Sequence, residues 1–147
     1  MNPNLVYLVQ TDTTVGFSSN NDERLTTIKQ RDKNQKILQT VDSFKSLQNF
    51  TKVPKKFRKF VRNSKKTTFI YPNLKSFRVV SKTSHFFEFI NKFEALYSTS
   101  ANLTKQKFDL DFATNNSDVV VYKKDDFFEA DSSKIYKLGK IRAKRVR

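Results

Sequence analysis

The segment "ALYSTSANLTK", Ala95 to Lys105, runs from a strand-like apolar entry into Ser98, Thr99, Ser100, Ala101 and Asn102. Short hydroxyl and amide side chains where a loop leaves a sheet supply donors and acceptors, and their size lets a ligand come close to the backbone. The same residue types also make turns by bonding their own backbone, so the segment alone supports either reading. Other chemistries are closed off. The chain has no cysteine and a single histidine, His85, which excludes thiolate metal sites, disulfides and a histidine-based triad. A metal, if used, has to arrive with a ligand. The formal net charge of +15 implies a positive surface potential that draws polyanions: nucleotides, RNA or anionic membranes. Because Lys, Asn and Phe are abundant throughout, clusters carry more weight than single lysines. Two stand out, "KVPKKFRKFVRNSKK" from Lys52 to Lys66 and "KLGKIRAKRVR" from Lys137 to Arg147. The first reads equally well as a solvated face that maintains solubility.

These side chains need a scaffold, and 147 residues with 37% apolar and 14% aromatic content fit one domain with a buried core. The apolar run Leu5 to Val9 predicts a strand buried on both faces. "NNDERLTTIKQR" predicts a short helix with an Asn cap, acids in the first turn, Leu25 and Ile28 on one face, and Lys29 and Arg31 near the end, where the dipole favours cations. A strand is expected at Lys36 to Val41, then a helix capped by Ser43 that presents Phe44 and Leu47. Pro54 opens another helix, with Phe57, Phe60 and Val61 inward. "TTFIYPNLKSFRVV" predicts an antiparallel pair around a turn containing Pro72 and Asn73. Phe86, Phe89, Ile90 and Phe93 fall on one helical face leading into a strand at Ala95 to Tyr97. Val119 to Tyr122 adds a strand, and "SSKIYKLGKIRAKRV" a hairpin about Gly139. Strands alternating with helices, plus hairpins, indicate a mixed α/β sheet rather than a doubly wound one. No apolar run approaches the roughly 20 residues of a membrane span. "MNPNLVYLVQ" lacks the charged start and cleavage signal of a secretory peptide, so a soluble, cytoplasmic protein is expected.

Five pieces follow one another along the chain: "QTDTTVGF" after the first strand, "KQR" at the end of the first helix, then "TTFIYP", "SFRVV" and "STSAN". In this order they resemble the YrdC-like family of threonylcarbamoyl-AMP synthases, with its Pro-Thr-Asp/Glu-T-x-x-G, Lys-x-Arg, P-G-P-x-T, S-V-R-V and Ser-x-Asn motifs. The resemblance spans about Leu5 to Arg142. It implies a single YrdC-like domain over residues 1–147, with a twisted mixed α/β sheet, flanking helices and a basic concave surface. It also implies an activity: L-threonine, bicarbonate and ATP give threonylcarbamoyl-adenylate and pyrophosphate. The adenylate serves the modified adenosine beside the anticodon of tRNAs, through downstream tRNA threonylcarbamoyl transferase proteins. Mg²⁺ would enter bound to the ATP phosphates, since no carboxylate cluster suggests a dedicated cage. These substrates concentrate negative charge, which fixed Lys, Arg, hydroxyl and amide donors position and stabilise.

Carried over residue by residue, the resemblance implies that Thr11 contacts threonine, with Asp12 at the family's acid. Lys29 and Arg31 match Lys-x-Arg and Lys36 the basic residue after it; all three would hold nucleotide phosphates. Thr68 would lie near the nucleotide. Arg78 would pair with the threonine carboxylate through two parallel bonds, a geometry lysine cannot reproduce. Ser98 and Ser133 would contact threonine, Ser100 and Asn102 the nucleotide, and Arg142, with Arg145 as the alternative, the nucleotide as well. No catalytic side chain is singled out. On local grounds Lys29 and Arg31 also read as helix caps, and Arg78 as the partner of a structural carboxylate.

The sequence departs from the family pattern at Gln10 and Asp32, where proline is usual, and at Ser64, Lys65 and Lys66 in place of Pro-Gly-Pro. Lys105 replaces a glycine and Lys137 an aspartate, and the family's N-terminal helix has no counterpart. Losing Pro and Gly changes loop stiffness and the approach of backbone to phosphate. A second reading therefore stands beside the synthase: a non-catalytic relative that binds tRNA or double-stranded RNA with its basic face and interleaved aromatics. A third is an interaction module that retains the motif residues as relics.

Overall fold

The computed structural model describes residues 1–122 and 126–147. In chain order the strands are β1 Tyr7–Gln10, β2 Val15–Ser19, β3 Gln39–Val41, β4 Thr67–Ile70, β5 Ser76–Val79, β6 Ala95–Ser100, β7 Val119–Val120, β8 Lys134–Leu138 and β9 Ala143–Arg145. The helices are α1 Asp22–Lys29, α2 Phe44–Phe50, α3 Arg58–Asn63, α4 Phe87–Ile90 and α5 Leu110–Asn115, with a 3₁₀ turn at Lys55–Phe57. All nine strands join one sheet in the order β7-β1-β2-β6-β3-β5-β4-β8-β9. Parallel pairs β1–β7, β3–β5 and β4–β8 are interspersed among antiparallel ones, so the sheet is mixed as expected.

Register decides which side chains share a face, because successive strand residues point to opposite sides. The pairings Gly16↔Ser100, Ser18↔Ser98, Thr40↔Leu96, Thr40↔Arg78, Ile70↔Ser76 and Thr68↔Ile135 put six serines and threonines, Gly16 and Arg78 on one face, together with Ile70, Leu96 and Ile135. Phe17, Tyr97, Val41, Phe77, Phe69 and Tyr136 occupy the other. Helices cover the apolar face. Leu47, Phe57 and Val61 pack against Val41, Phe69 and Phe77, while Leu25 and Ala113 pack against Val15 and Phe17. Burying each large side chain in these clusters contributes about 1.5–3 kcal/mol. On the polar face, α4 brings Phe86, Phe89 and Ile90 onto Tyr7, Val9 and Leu96.

Helix α1 forms as its sequence dictates. Asn21 caps it by accepting the Arg24 N–H at 3.0 Å, and Asp22 and Glu23 sit at the positive pole. Arg24 grips Asp118 with both terminal nitrogens, and Asp118 also accepts the Val6 N–H at 2.8 Å. That clamp fixes the helix to the start of β1 and β7, and so fixes where the helix ends.

Several elements differ from expectation. Strand β3 begins at Gln39, because Asp32 closes a turn by accepting from Asn34 and Gln35, which leaves Lys36 in a loop. Pro54 opens the 3₁₀ turn that precedes α3 rather than one continuous helix. Helix α4 stops at Ile90, and Phe93 reaches the core from the turn beyond it, its ring 5.4 Å from Tyr7. β6 continues through Ser100 because its hydroxyl residues find partners along β2. β7 ends at Val120, its pairing with β1 spanning two residues, and Tyr122 is exposed. Strand β2 and helix α5 were not anticipated: "VGFSS" lacks apolar alternation, and α5 is six residues long. The hairpin about Gly139 and the pair around Pro72 form as read. Among the described residues no helix is long and apolar enough to cross a membrane.

Candidate functional site

The hydroxyl face floors a cavity of about 330 Å³, within the size range of small-molecule sites. Among the described residues, four cations line it, Arg31, Lys36, Arg78 and Arg147, together with ten serines and threonines and no carboxylate. Of the residues carried over from the motifs, Thr11, Arg31, Lys36, Thr68, Arg78, Ser98, Ser100 and Ser133 meet there. Lys29, Asn102 and Arg142 are not among its lining residues. The sequence reading missed Thr13, Thr14, Ser76 and Ser132, whose small polar side chains have no local signature.

The turn between β1 and β2 supplies one wall. Thr11 Oγ1 donates to Thr14 O at 2.6 Å and accepts the Thr13 N–H at 3.2 Å, so this hydroxyl holds the turn together. Gly16 follows at the point where β2 passes β6. A Cβ there would lie 2.8 Å from Thr99 O and 3.1 Å from Thr11 Cγ2, so the glycine is needed for close approach of the two strands. We expect Gly16→Ala to destabilise the protein by about 1–3 kcal/mol through this overpacking. Denaturant unfolding measures it, and an unchanged midpoint would mean that β2 and β6 part without penalty.

Arg78 stands on β5 in the middle of the floor. Its Nη2 lies 3.0 Å from Asp12 Oδ1, and its Nε donates to the same oxygen at 3.2 Å; both side chains are 4% exposed. The sequence alternative of a structural carboxylate is therefore present, and the partner is the acid of the first motif. A guanidinium has five N–H donors, and this pairing uses two of them. The rest are available to an anion in the cavity, to which Arg78 also contributes its lining surface.

A second cationic element lies at the end of α1. Gln30 adopts φ 53°, a left-handed turn made without glycine, and this turn aims Arg31 at the cavity. Lys29 is 1% exposed, and the three N–H donors of its ammonium are shared among Ser100 O at 2.8 Å, Ser100 Oγ at 3.2 Å, Asn102 Oδ1 at 2.8 Å and Asn102 O. The Lys-x-Arg and Ser-x-Asn motifs thus meet directly, with Lys29 behind Ser100. All four oxygens are formally neutral. Arg31 Nε is buried without a hydrogen-bond partner among the described residues, and burial lowers the Arg31 pKa. Burial, then the neighbouring Arg31 charge, pushes the Lys29 pKa down to about 8. A buried ammonium and a half-buried guanidinium with no facing carboxylate among the described residues make a site that an anion would stabilise.

The sign of the resulting pH dependence follows from linkage. Lys29 has a lower pKa folded than unfolded, so between about 8 and 10.5 the unfolded chain binds more protons and this group makes stability rise with pH. A polyphosphate beside Lys29 and Arg31 would push the Lys29 pKa back up. Calorimetry at pH 8.5–9 in buffers of different ionisation enthalpy should therefore register proton uptake when ATP binds, an uptake absent from Lys29→Gln. Uptake of equal size in that variant would assign the proton to another group.

At the far wall Thr68 and Ser133 hydroxyls lie 2.8 Å apart, and Arg147 donates through Nε to Ser133 O at 3.0 Å and through Nη2 to Ser133 Oγ at 3.3 Å. Arg142 is exposed in the turn between β8 and β9. The hairpin explains the exchange: Arg142 sits at its tip, and the returning strand carries Arg147 back beside Ile135, whose N–H donates to Arg147 O at 2.9 Å. Asn102 lines an adjoining cavity of about 310 Å³ that shares Thr14, Ser100 and Ser132 with the first and adds Phe108, Glu129 and Asp131.

No protein-family model matches the sequence, and no curated protein matches it either. Solved structures do. Escherichia coli YciO superposes with a TM-score of 0.73 at 17% identity, covering 98% of this chain and 82% of that one. MTH1692 from Methanobacterium thermoautotrophicum gives 0.70 at 16% identity, with coverage of 97% and 79%. Pyrococcus abyssi Sua5, solved in complex with L-threonine, gives 0.78 at 13% identity; 97% of this chain matches 50% of Sua5, so the chain spans about half the length of that neighbour. Likeness at such identities speaks for the fold, and together with the nine-stranded mixed sheet it places this chain in the YrdC-like fold.

Proposed function

We propose that the cavity binds ATP beside L-threonine and that the protein makes threonylcarbamoyl-adenylate from these two substrates and bicarbonate. The observation that carries this reading is the lining itself: among the described residues, four cations and ten hydroxyls without a carboxylate, brought together from segments far apart in the chain. Such a surface favours ligands rich in negative oxygen. In this reading Arg31, Lys36 and Ser100 hold phosphates, with Lys29 and Asn102 fixing Ser100 from behind. The free N–H groups of Arg78 take the threonine carboxylate, and Thr11, Ser98 and Ser133 surround the rest of the amino acid. Thr68 and an arginine of the β8–β9 segment, Arg147 rather than Arg142, complete the nucleotide side. The L-threonine bound to the Sua5 neighbour supports an amino-acid subsite in this fold.

The overall conversion joins the threonine nitrogen to the bicarbonate carbon with loss of water. It then joins a carbamate oxygen to the α-phosphorus of ATP as the bond to the β-phosphate breaks and pyrophosphate leaves. What the chain's own residues supply is position and charge. No group of three His, Cys, Asp or Glu side chains gathers among the described residues, and the side-chain oxygens of the lining are hydroxyls and the Gln35 amide. Mg²⁺ would accordingly be held mainly by the ATP phosphates that bring it. The product would pass to a tRNA threonylcarbamoyl transferase.

The test is to incubate the protein with all three substrates and look for threonylcarbamoyl-adenylate by mass spectrometry, omitting threonine and bicarbonate in turn. Product dependent on both supports the proposal. Tight ATP and threonine binding with no adenylate would instead identify a binding relative.

A further inference from the structure

Position 10 is one of the places where the sequence departs from the YrdC-like pattern, and the structure gives the residue found there a partner. Gln10 ends β1 and is 2% exposed. Its Oε1 accepts the Phe128 N–H at 3.0 Å, and Phe128 O accepts the Val15 N–H at 3.2 Å, so both backbone polar groups of Phe128 are held. Phe128 begins a strap, residues 128–133, that reaches from the β1–β2 turn to β4. Along it the Ala130 N–H donates to Thr14 Oγ1 at 3.3 Å, Glu129 accepts the Phe108 N–H, and the Ser133 and Thr68 hydroxyls meet. Residues 128–132 are all exposed, so polar contacts rather than burial hold them in place, and a segment held in that way opens at little cost. Among the side-chain contacts to residues 128–132, the one from Gln10 is the most shielded from water, where a hydrogen bond is stronger. Gln10 Nε2 is buried and has no partner among the described residues, a penalty that an apolar side chain would avoid. What the amide contributes is its oxygen.

The strap also sets the charge beside the nucleotide cavity. The adjoining cavity of about 310 Å³ shares Thr14, Ser100 and Ser132 with it, and the strap supplies Glu129, Ala130, Asp131 and Ser132 to its wall. Among the described residues that second cavity is lined by two carboxylates and no cation, the reverse of its neighbour. Carboxylates repel phosphate and accept from hydroxyl and amino groups. A ligand spanning both cavities therefore fits with a polyanionic end among the cations and an uncharged, donor-rich end among the acids, as a nucleoside triphosphate does. We propose that Gln10 is a positioning residue for the nucleotide: its latch on Phe128 keeps Glu129 and Asp131 in place as the wall that receives the nucleoside. This rests on the nucleotide reading above and adds to it a residue that lines neither cavity.

Gln10→Met is close in shape, lacks the acceptor and removes the unpartnered donor. Isothermal titration calorimetry with ATP, and with inorganic triphosphate, which has nothing to place in the second cavity, separates the role of the strap from that of the cations. We expect Gln10→Met to bind ATP roughly threefold to tenfold more weakly than wild type and triphosphate equally well. Amide hydrogen exchange should be about tenfold faster at Phe128 and Ala130 and unchanged at Phe17 and Leu96. Phe128→Pro removes the same bond from its donor side, at an exposed residue, and should give the same split between the two ligands. It carries the test if Gln10→Met does not fold. Equal weakening of both ligands, or exchange raised alike at the core amides, would reduce Gln10 to a structural role and overturn the proposal. So would unchanged ATP affinity in the folded variants. In the wild type, triphosphate binding as tightly as ATP would overturn this proposal and leave the phosphate site standing, whereas no binding of either ligand would overturn the nucleotide reading on which it rests.

Discussion

Replacing Arg78 by alanine should destabilise the protein by about 3–5 kcal/mol, because it leaves the Asp12 carboxylate buried without its counter-charge. Both side chains are 4% exposed, so solvent cannot take over the role of the lost partner. Adding Asp12→Ala should recover part of that loss, since the double variant no longer contains an isolated buried charge. Arg78→Lys separates the structural role from ligand binding. Lysine keeps the charge next to Asp12 but lacks the planar fork, so the threonine requirement should rise while ATP affinity stays nearly intact. Denaturant melts give the first result and binding isotherms for each ligand the second. Equal loss of both ligands in Arg78→Lys would move Arg78 out of the amino-acid subsite, and a melt of Arg78→Ala matching wild type would show that the ion pair contributes nothing to the fold.

Arg31→Ala should behave in the opposite way. Removing one charged phosphate contact worth about 1.5–3 kcal/mol should weaken ATP binding roughly tenfold to a hundredfold. The ligand-free protein should lose no stability and gain some, because Arg31 Nε is buried without a partner among the described residues and its charge bears on Lys29. With that neighbour gone, the Lys29 pKa should move upward from about 8. A residue kept for function at the expense of the folded state shows this opposition of signs. Undiminished ATP affinity would remove Arg31 from the phosphate site, and a large drop in unliganded stability would assign it a structural role.

Much of the local structure was legible. The Asn21 cap, the first-turn acids, and Leu25 facing inward define α1 without reference to the rest of the chain, and Ser43 does the same for α2. Strand β2 was not legible, because a strand whose faces bury Gly16, Phe17 and Ser18 alike shows no period of two in hydrophobicity. The hydroxyl run after Ala95 reads locally as a loop leaving a sheet, yet it remains in the strand through Ser100. The difference lies in β2, whose backbone supplies partners that no local pattern announces.

The candidate site divides along the same line. Residue types and order along the chain brought Thr11, Arg31, Arg78, Ser98 and Ser100 to attention, and all of them line one cavity. Which cation faces an acid, and which has none, was decided by the tertiary structure: Asp12 pairs with Arg78 across the floor, while Lys29 meets only neutral oxygens. The hairpin likewise chose Arg147 over Arg142. Composition, caps and periodicity determine how each segment folds and which of its faces is buried, because those preferences act over a few residues. Counter-charges and strand neighbours depend on the sheet order β2-β6-β3-β5-β4-β8, which joins segments distant in sequence. Their pairing is set by long-range register, and no local stretch of the chain contains it.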